Sequence, residues 1–78
     1  MRKKLSDMQV GESGVVRNIG DLKELKKRLI EFGILNTPIK VVKKAPFNDP
    51  IAIKLGNTTI AIRDEDAKKI EVELFKGK

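Results

Sequence analysis

Seventy-eight residues allow one domain and not two, and residues 1–78 read as a single unit with its core between positions 5 and 74. Seventeen Lys and Arg against eleven Asp and Glu give a net charge of +6, and the chain has neither Cys nor His. That composition excludes disulfides, thiolate nucleophiles, imidazole bases and the common soft or borderline metal sites. Stability must therefore come from the packing of Ile, Leu and Val.

The basic start, Arg2-Lys3-Lys4, is followed at once by Ser6, Asp7, Gln9, Gly11 and Glu12 instead of an apolar run, so no signal peptide is expected. No stretch approaches the roughly 20 apolar residues of a membrane-spanning helix, and a cytoplasmic location is expected. Gly11-Glu12-Ser13-Gly14 predicts a turn, residues 15–19 a short strand, and Gly20 its end. Asp21 stands as a helix N-cap with Glu24 in capping-box position. Leu22, Leu25, Leu29 and Phe32 then fall on one helical face, and Gly33 stands at a left-handed C-terminal cap.

Beyond the helix the pattern turns to two-residue alternation. Residues 39–44 predict a strand, 45–50 a Pro-flanked loop, and 51–55 a strand with its large aliphatics on one side. Gly56-Asn57 suits a two-residue hairpin turn that leads into a strand over 58–63. Asp64 is placed to cap one helical turn through Ala67, and a last strand covers 70–74 before a tail. The class is mainly β: about five short strands, one helix after the first and one helical turn before the last. Short strands joined by tight turns favour closure into a small barrel that hides sheet edges.

The chain offers little to catalysis. Asp64-Glu65-Asp66 lacks the ligand spacing of a calcium loop and suits a helix start. Nothing in the sequence brings Asp49 to Asp7 or Glu12 as a carboxylate pair. The Gly11–Gly14 segment lacks the Lys-Ser/Thr ending of a phosphate-binding loop. No enzymatic activity and no cofactor are predicted.

The alternative reading, a small basic nucleic-acid-binding barrel, rests on charge. The excess cations at 2–4, 23–28 and 40–44 are offset locally by acids, and aromatic stacking platforms are scarce. Phe32 lies on the core stripe and Phe75 closes the last strand, which leaves only Phe47 free. Ile30 is more specific, lying about 120° off the core stripe among Lys23, Lys26 and Lys27. An isolated exposed Ile needs no cause, but an apolar residue with a basic rim has the composition of a protein-docking surface.

Taken in order, the motifs are Leu5-Ser6-Asp7-Met8, Arg28-Leu29-Ile30-Glu31-Phe32-Gly33-Ile34 and Ala45-Pro46-Phe47-Asn48-Asp49-Pro50-Ile51. Gly56, Ile60-Ala61-Ile62-Arg63 and Ala67-Lys68-Lys69-Ile70-Glu71-Val72 follow. This succession resembles the ferrous iron transport accessory protein A family, FeoA, over nearly the whole chain. Two departures stand out: Asn36-Thr37-Pro38 where the family commonly has Pro-Gly-Thr, and Phe32 in place of an aliphatic.

The resemblance implies an SH3-like barrel, similar to the C-terminal domain of DtxR-type repressors. It also implies a cytoplasmic accessory role in ferrous iron uptake, with the cytoplasmic GTPase region of the transporter FeoB as partner. Partner binding is expected at Arg28, Leu29, Ile30 and Gly33 near the helix end, and at Pro46, Phe47, Asp49 and Pro50 in the loop. Leu29 also reads as core, Gly33 as a cap, Pro46 and Pro50 as loop-shaping residues and Asp49 as a turn cap. Direct iron binding is disfavoured by the absence of His and Cys. Exposed strand edges and a hinge near Thr37-Pro38 leave homo-oligomers by strand exchange open.

Overall fold

The chain alternates short strands with two helical segments. These are β1 (Arg2–Lys4), a 3-10 turn (Leu5–Asp7), β2 (Ser13–Ile19), α1 (Glu24–Glu31), β3 (Pro38–Lys44), β4 (Ile51–Leu55), β5 (Thr58–Ile62), α2 (Asp64–Ala67) and β6 (Ile70–Leu74). The structure, a computed structural model, describes residues 1–46 and 49–75, so Phe47 lies outside the described residues. All six strands join one antiparallel sheet in the order β1-β6-β2-β3-β4-β5, which leaves β1 and β5 at the edges. The architecture is that of a small SH3-like barrel with α1 inserted between β2 and β3.

The predicted five strands become six because β1 carries no apolar signal. Its Arg-Lys-Lys sequence pairs antiparallel with β6 through Arg2↔Glu73, Lys3↔Val72 and Lys4↔Glu71. Charge complementarity across the pair supplies what apolar alternation does not. Arg2 reaches Glu71 at 3.4 Å and Glu73 at 3.3 Å, and the N-terminal ammonium lies 2.8 Å from Glu73. Exposed pairs of this kind contribute little singly, about 0.2–1 kcal/mol each, so they align the edge more than they stabilise it.

Bulges set which side chains face inward. Against β6, β2 shifts register between Val16 and Asn18. The extra residue lets Val16 and Ile19, three apart, both point into the core, at 0% and 5% exposure. In β3 the shift against β4 falls between Val41 and Lys43, and the consecutive Val42 and Lys43 are both exposed after the buried Val41. Gly14 permits a close approach of β2 to β6: a Cβ there would meet the Glu73 carbonyl oxygen and lie 2.7 Å from Val72 Cγ1. The hairpin turn is as predicted, with Gly56-Asn57 joining Leu55 to its partner Thr58.

The start of α1 differs from the expectation. Asp21 does not cap it; the N-cap is Lys23, with no side-chain cap hydrogen bond. Leu25 N–H reaches the Leu22 carbonyl at 3.1 Å, a tight turn that delays the helix proper to Glu24. Its end is a Schellman motif: Ile34 N–H donates to the Leu29 carbonyl and Gly33 N–H to that of Ile30, with Gly33 at φ +77°. That turn carries Ile34 into the core at 0% exposure, beside Leu29 in the same buried cluster. Phe32, placed on the core stripe by spacing alone, is 50% exposed instead. The core position after Leu29 is filled from beyond the helix, so the stripe ends one turn early.

The second helical turn starts at Asp64, with Arg63 as N-cap and no cap from its own side chain. Asp49 supplies one from the loop between β3 and β4, accepting the Asp64 N–H at 3.3 Å. No helix among the described residues is long and apolar enough to cross a membrane.

Candidate partner-binding surface

The predicted Ile30 face takes shape on α1. Lys23, Lys26, Lys27, Ile30 and Glu31 line an open depression of about 350 Å³. Their i, i+3, i+4, i+7, i+8 spacing puts them on one side of the helix, turned away from the buried Leu22 and Leu29. Ile30 is 44% exposed at its floor. Phe32 and Leu35 add exposed apolar surface just past the helix.

Several cations elsewhere on the chain have intramolecular partners. Lys3 pairs with Glu12 at 3.3 Å, Arg2 with Glu71 and Glu73, and Lys68 with Asp64 at 3.6 Å. Lys44 donates to the carbonyls of Met8 (2.7 Å) and Ser6 (3.3 Å), and Lys69 to that of Asp21 (3.4 Å). Part of the basic charge read from composition is thus held by intramolecular partners. Among the described residues no ion pair involves Lys23, Lys26 or Lys27.

Of the other predicted site residues on the helix, Arg28 is exposed and Gly33 is exposed at the cap. Leu29, 1% exposed, belongs to the core, so its side chain is not part of any contact surface. The Asn36-Thr37-Pro38 departure is accommodated locally. Asn36 takes φ +62° and accepts a 2.8 Å hydrogen bond from Arg17, while the Thr37 hydroxyl donates to the Gly33 carbonyl. The helix end is therefore tied to both β2 and the start of β3.

In the loop, Pro46, Asp49 and Pro50 are exposed. The base of the loop is closed by Ala45 N–H donating to the Pro50 carbonyl at 3.1 Å. Asp49 is engaged with the start of α2, whereas α1's approach is tied to Lys69, just past α2's end. Among the described residues no hydrogen bond or ion pair joins the loop directly to α1. Asp49 thus docks on the start of α2, while the segment leading into α1 is held at the other end of α2.

A second depression of about 360 Å³ is lined by Gly11, Glu12, Ser13, Leu74 and Phe75. Glu12 is already satisfied there: the Gln9 N–H at 2.7 Å, assisted by Lys3, holds its carboxyl below the usual range against an opposing desolvation effect. Among the described residues no cluster of three or more Asp or Glu is placed to hold a metal ion. Glu31 joins the α1 face by the same helical spacing as the lysines, whereas spacing alone does not reveal the exposed Phe32 and Leu35. The signal for the last two was the early Gly33 cap, which ends the stripe before Phe32 reaches the core.

Comparison with known proteins agrees with this fold. The FeoA domain family matches residues 3–74. A Campylobacter jejuni relative described as a putative Fe(2+) transport protein A is 32% identical over 91% of this chain and 97% of its own length. A Porphyromonas gingivalis Fe(2+) transport protein A/Fe(2+) transporter FeoB fusion protein is 35% identical over 92% of this chain, which spans only 9% of that longer relative.

Among solved structures, FeoA from Chlorobium tepidum superposes with a TM-score of 0.88 at 26% identity, covering 97% of this chain and 73% of that one. FeoA from Stenotrophomonas maltophilia, described as a procaryotic SH3 domain protein and complexed with zinc, gives 0.79 at 29% identity over 91% and 89%. A manganese-dependent transcriptional repressor shares the fold, with a TM-score of 0.81 at 21% identity over 95% of this chain and 42% of its own. With a family match over nearly its whole length and a full-length relative above 30% identity, the chain belongs to the FeoA domain family, which is implicated in ferrous iron transport.

Proposed function

We propose that this chain is a non-catalytic cytoplasmic accessory component of ferrous iron transport that acts by binding the cytoplasmic GTPase region of a FeoB-type transporter. The observation that carries the reading is the relative in which a transport protein A and a FeoB share one polypeptide. Fusion keeps two partners at high effective concentration, so separate chains of the same families are expected to associate by their own surfaces. On this chain the surface is the outward side of α1, with Ile30 as apolar anchor; Arg28, exposed about 160° around the helix from it, is a separate contact. The exposed Pro46, Asp49 and Pro50 form a second, smaller contact.

The test is equilibrium binding between the purified chain and the cytoplasmic region of FeoB from the same genome. Ile30→Glu is expected to weaken binding roughly 30-fold, the effect of losing an interface hot spot of about 2 kcal/mol. The thermal midpoint should stay unchanged, because Ile30 lies outside the core. No association of the parent chain at high micromolar concentration, or full affinity in Ile30→Glu, would contradict the proposal.

A further inference from the structure

The first turn of α1 breaks three local rules at one place. Lys23, the N-cap, sits at φ +53°, ψ −122°, a conformation suited to glycine and strained for any residue with a Cβ. Lys26 and Lys27 follow within the first turn or so, where the helix dipole disfavours cations. Lys23 and Lys27 are also like charges four apart, which opposes the helix. None of these features benefits the fold. All three line the one depression whose floor is the exposed Ile30. Local rules broken together in this way mark a site kept for something other than stability.

We infer that this depression accepts an acidic protein segment in which an apolar side chain is flanked by carboxylates. The apolar residue packs on Ile30 and the carboxylates meet the ammonium groups of Lys23, Lys26 and Lys27. The inference rests on the partner-binding reading above and adds the chemistry of the partner. Charge complementarity selects the occupant: three cations without an internal ion pair rim a single aliphatic contact, with only Glu31 of opposite sign. A bilayer is a poorer fit, because interfacial helices bury a broad apolar face and this face offers one isoleucine. Nucleic acid would leave Ile30 without a matching contact.

Strain at Lys23 supplies a test that separates binding from folding. Lys23→Gly removes the ammonium while relieving the backbone, so its melting temperature should equal or exceed that of the parent chain. Its affinity for the probe should fall at least fivefold. The probe is a synthetic peptide, Asp-Glu-Leu-Glu-Asp within a neutral Gly-Ser frame, titrated into ¹⁵N-labelled protein. Expected are shifts in the amides of residues 23–31, weakened by salt and by replacing the peptide's Leu with Ser.

Unchanged peptide affinity in Lys23→Gly overturns the inference, as does tighter Lys23-dependent binding to anionic vesicles or to an oligonucleotide. The same variants titrated with the FeoB cytoplasmic region keep the two readings apart. FeoB binding by the parent chain that survives Lys23→Gly defeats this inference alone. Peptide binding without FeoB binding defeats the partner assignment alone.

Discussion

Replacing Gly14 with Ala tests the geometry that holds the sheet together. Gly14 lies in β2 between Ile39 of β3 and Leu74 of β6, so both of its neighbours are backbone-paired strands. The added Cβ would meet the Glu73 carbonyl and Val72 Cγ1, the latter at 2.7 Å. Neither can give way easily: Val72 is 0% exposed, and β6 is fixed between β1 and β2. Overpacking of this kind costs about 1–3 kcal/mol, against roughly 4–12 kcal/mol of total stability for a chain of this size. At about 4–8 °C per kcal/mol, a 2–3 kcal/mol cost lowers the melting temperature by roughly 10–20 °C. Circular dichroism melts of the two proteins measure it. A Gly14→Ala midpoint within about 2 °C of the parent would show that β2 and β6 are not this close.

Gly33→Ala meets no atom within 4 Å, so its cost is purely conformational at φ +77°. A loss of about 1–2 kcal/mol is expected, with Gly33→Asn intermediate, as read from urea midpoints. Acid should expose a different part of the molecule. The Glu12 and Glu73 carboxyls both lie below the ordinary value of 4.5, Glu12 chiefly through the Gln9 N–H and Glu73 chiefly through the N-terminal ammonium and Arg2. Their stabilising effect is therefore complete above pH 4.5 and lost as pH falls below it, because the unfolded chain takes up protons first. Urea midpoints measured from pH 7 to pH 3 should fall less steeply at the acid end in Glu12→Gln than in the parent chain.

The parts of the fold legible in the sequence are those where apolar period and chain reversal agree. Strands β4 and β6, the Gly56-Asn57 hairpin and the Gly33 cap all pair an aliphatic pattern with a turn residue of defined conformation. β1 was not legible because an edge strand of Arg and Lys is specified by acids some seventy residues away in sequence. The cap at Asp21 failed for a related reason. Its carbonyl is held by Lys69 and the Leu22 turn intervenes, a tertiary arrangement with no trace in local spacing. Phe32 was misplaced because helical periodicity does not say where the helix stops contributing to the core.

At the candidate site the balance was similar. Ile30 and its lysines follow from helical geometry alone, and the structure places them around one depression. The strain at Lys23 could not be read, since a backbone angle has no signature in residue type when the residue is not glycine. Nor could the pairing of Asp49 with the start of α2, which gives Asp49 a structural role. Chemical character is visible in sequence, whereas the partners that consume or free a charge are set by the fold.

The central claim, that this chain works by binding through the outward face of α1, is tested most directly by titrating the ¹⁵N-labelled chain with the FeoB cytoplasmic region and mapping the amides that respond. The account predicts the largest changes among residues 23–31, with smaller ones at Ala45, beside Pro46, and at Asp49. A response centred elsewhere on the sheet, or none at all, would contradict it.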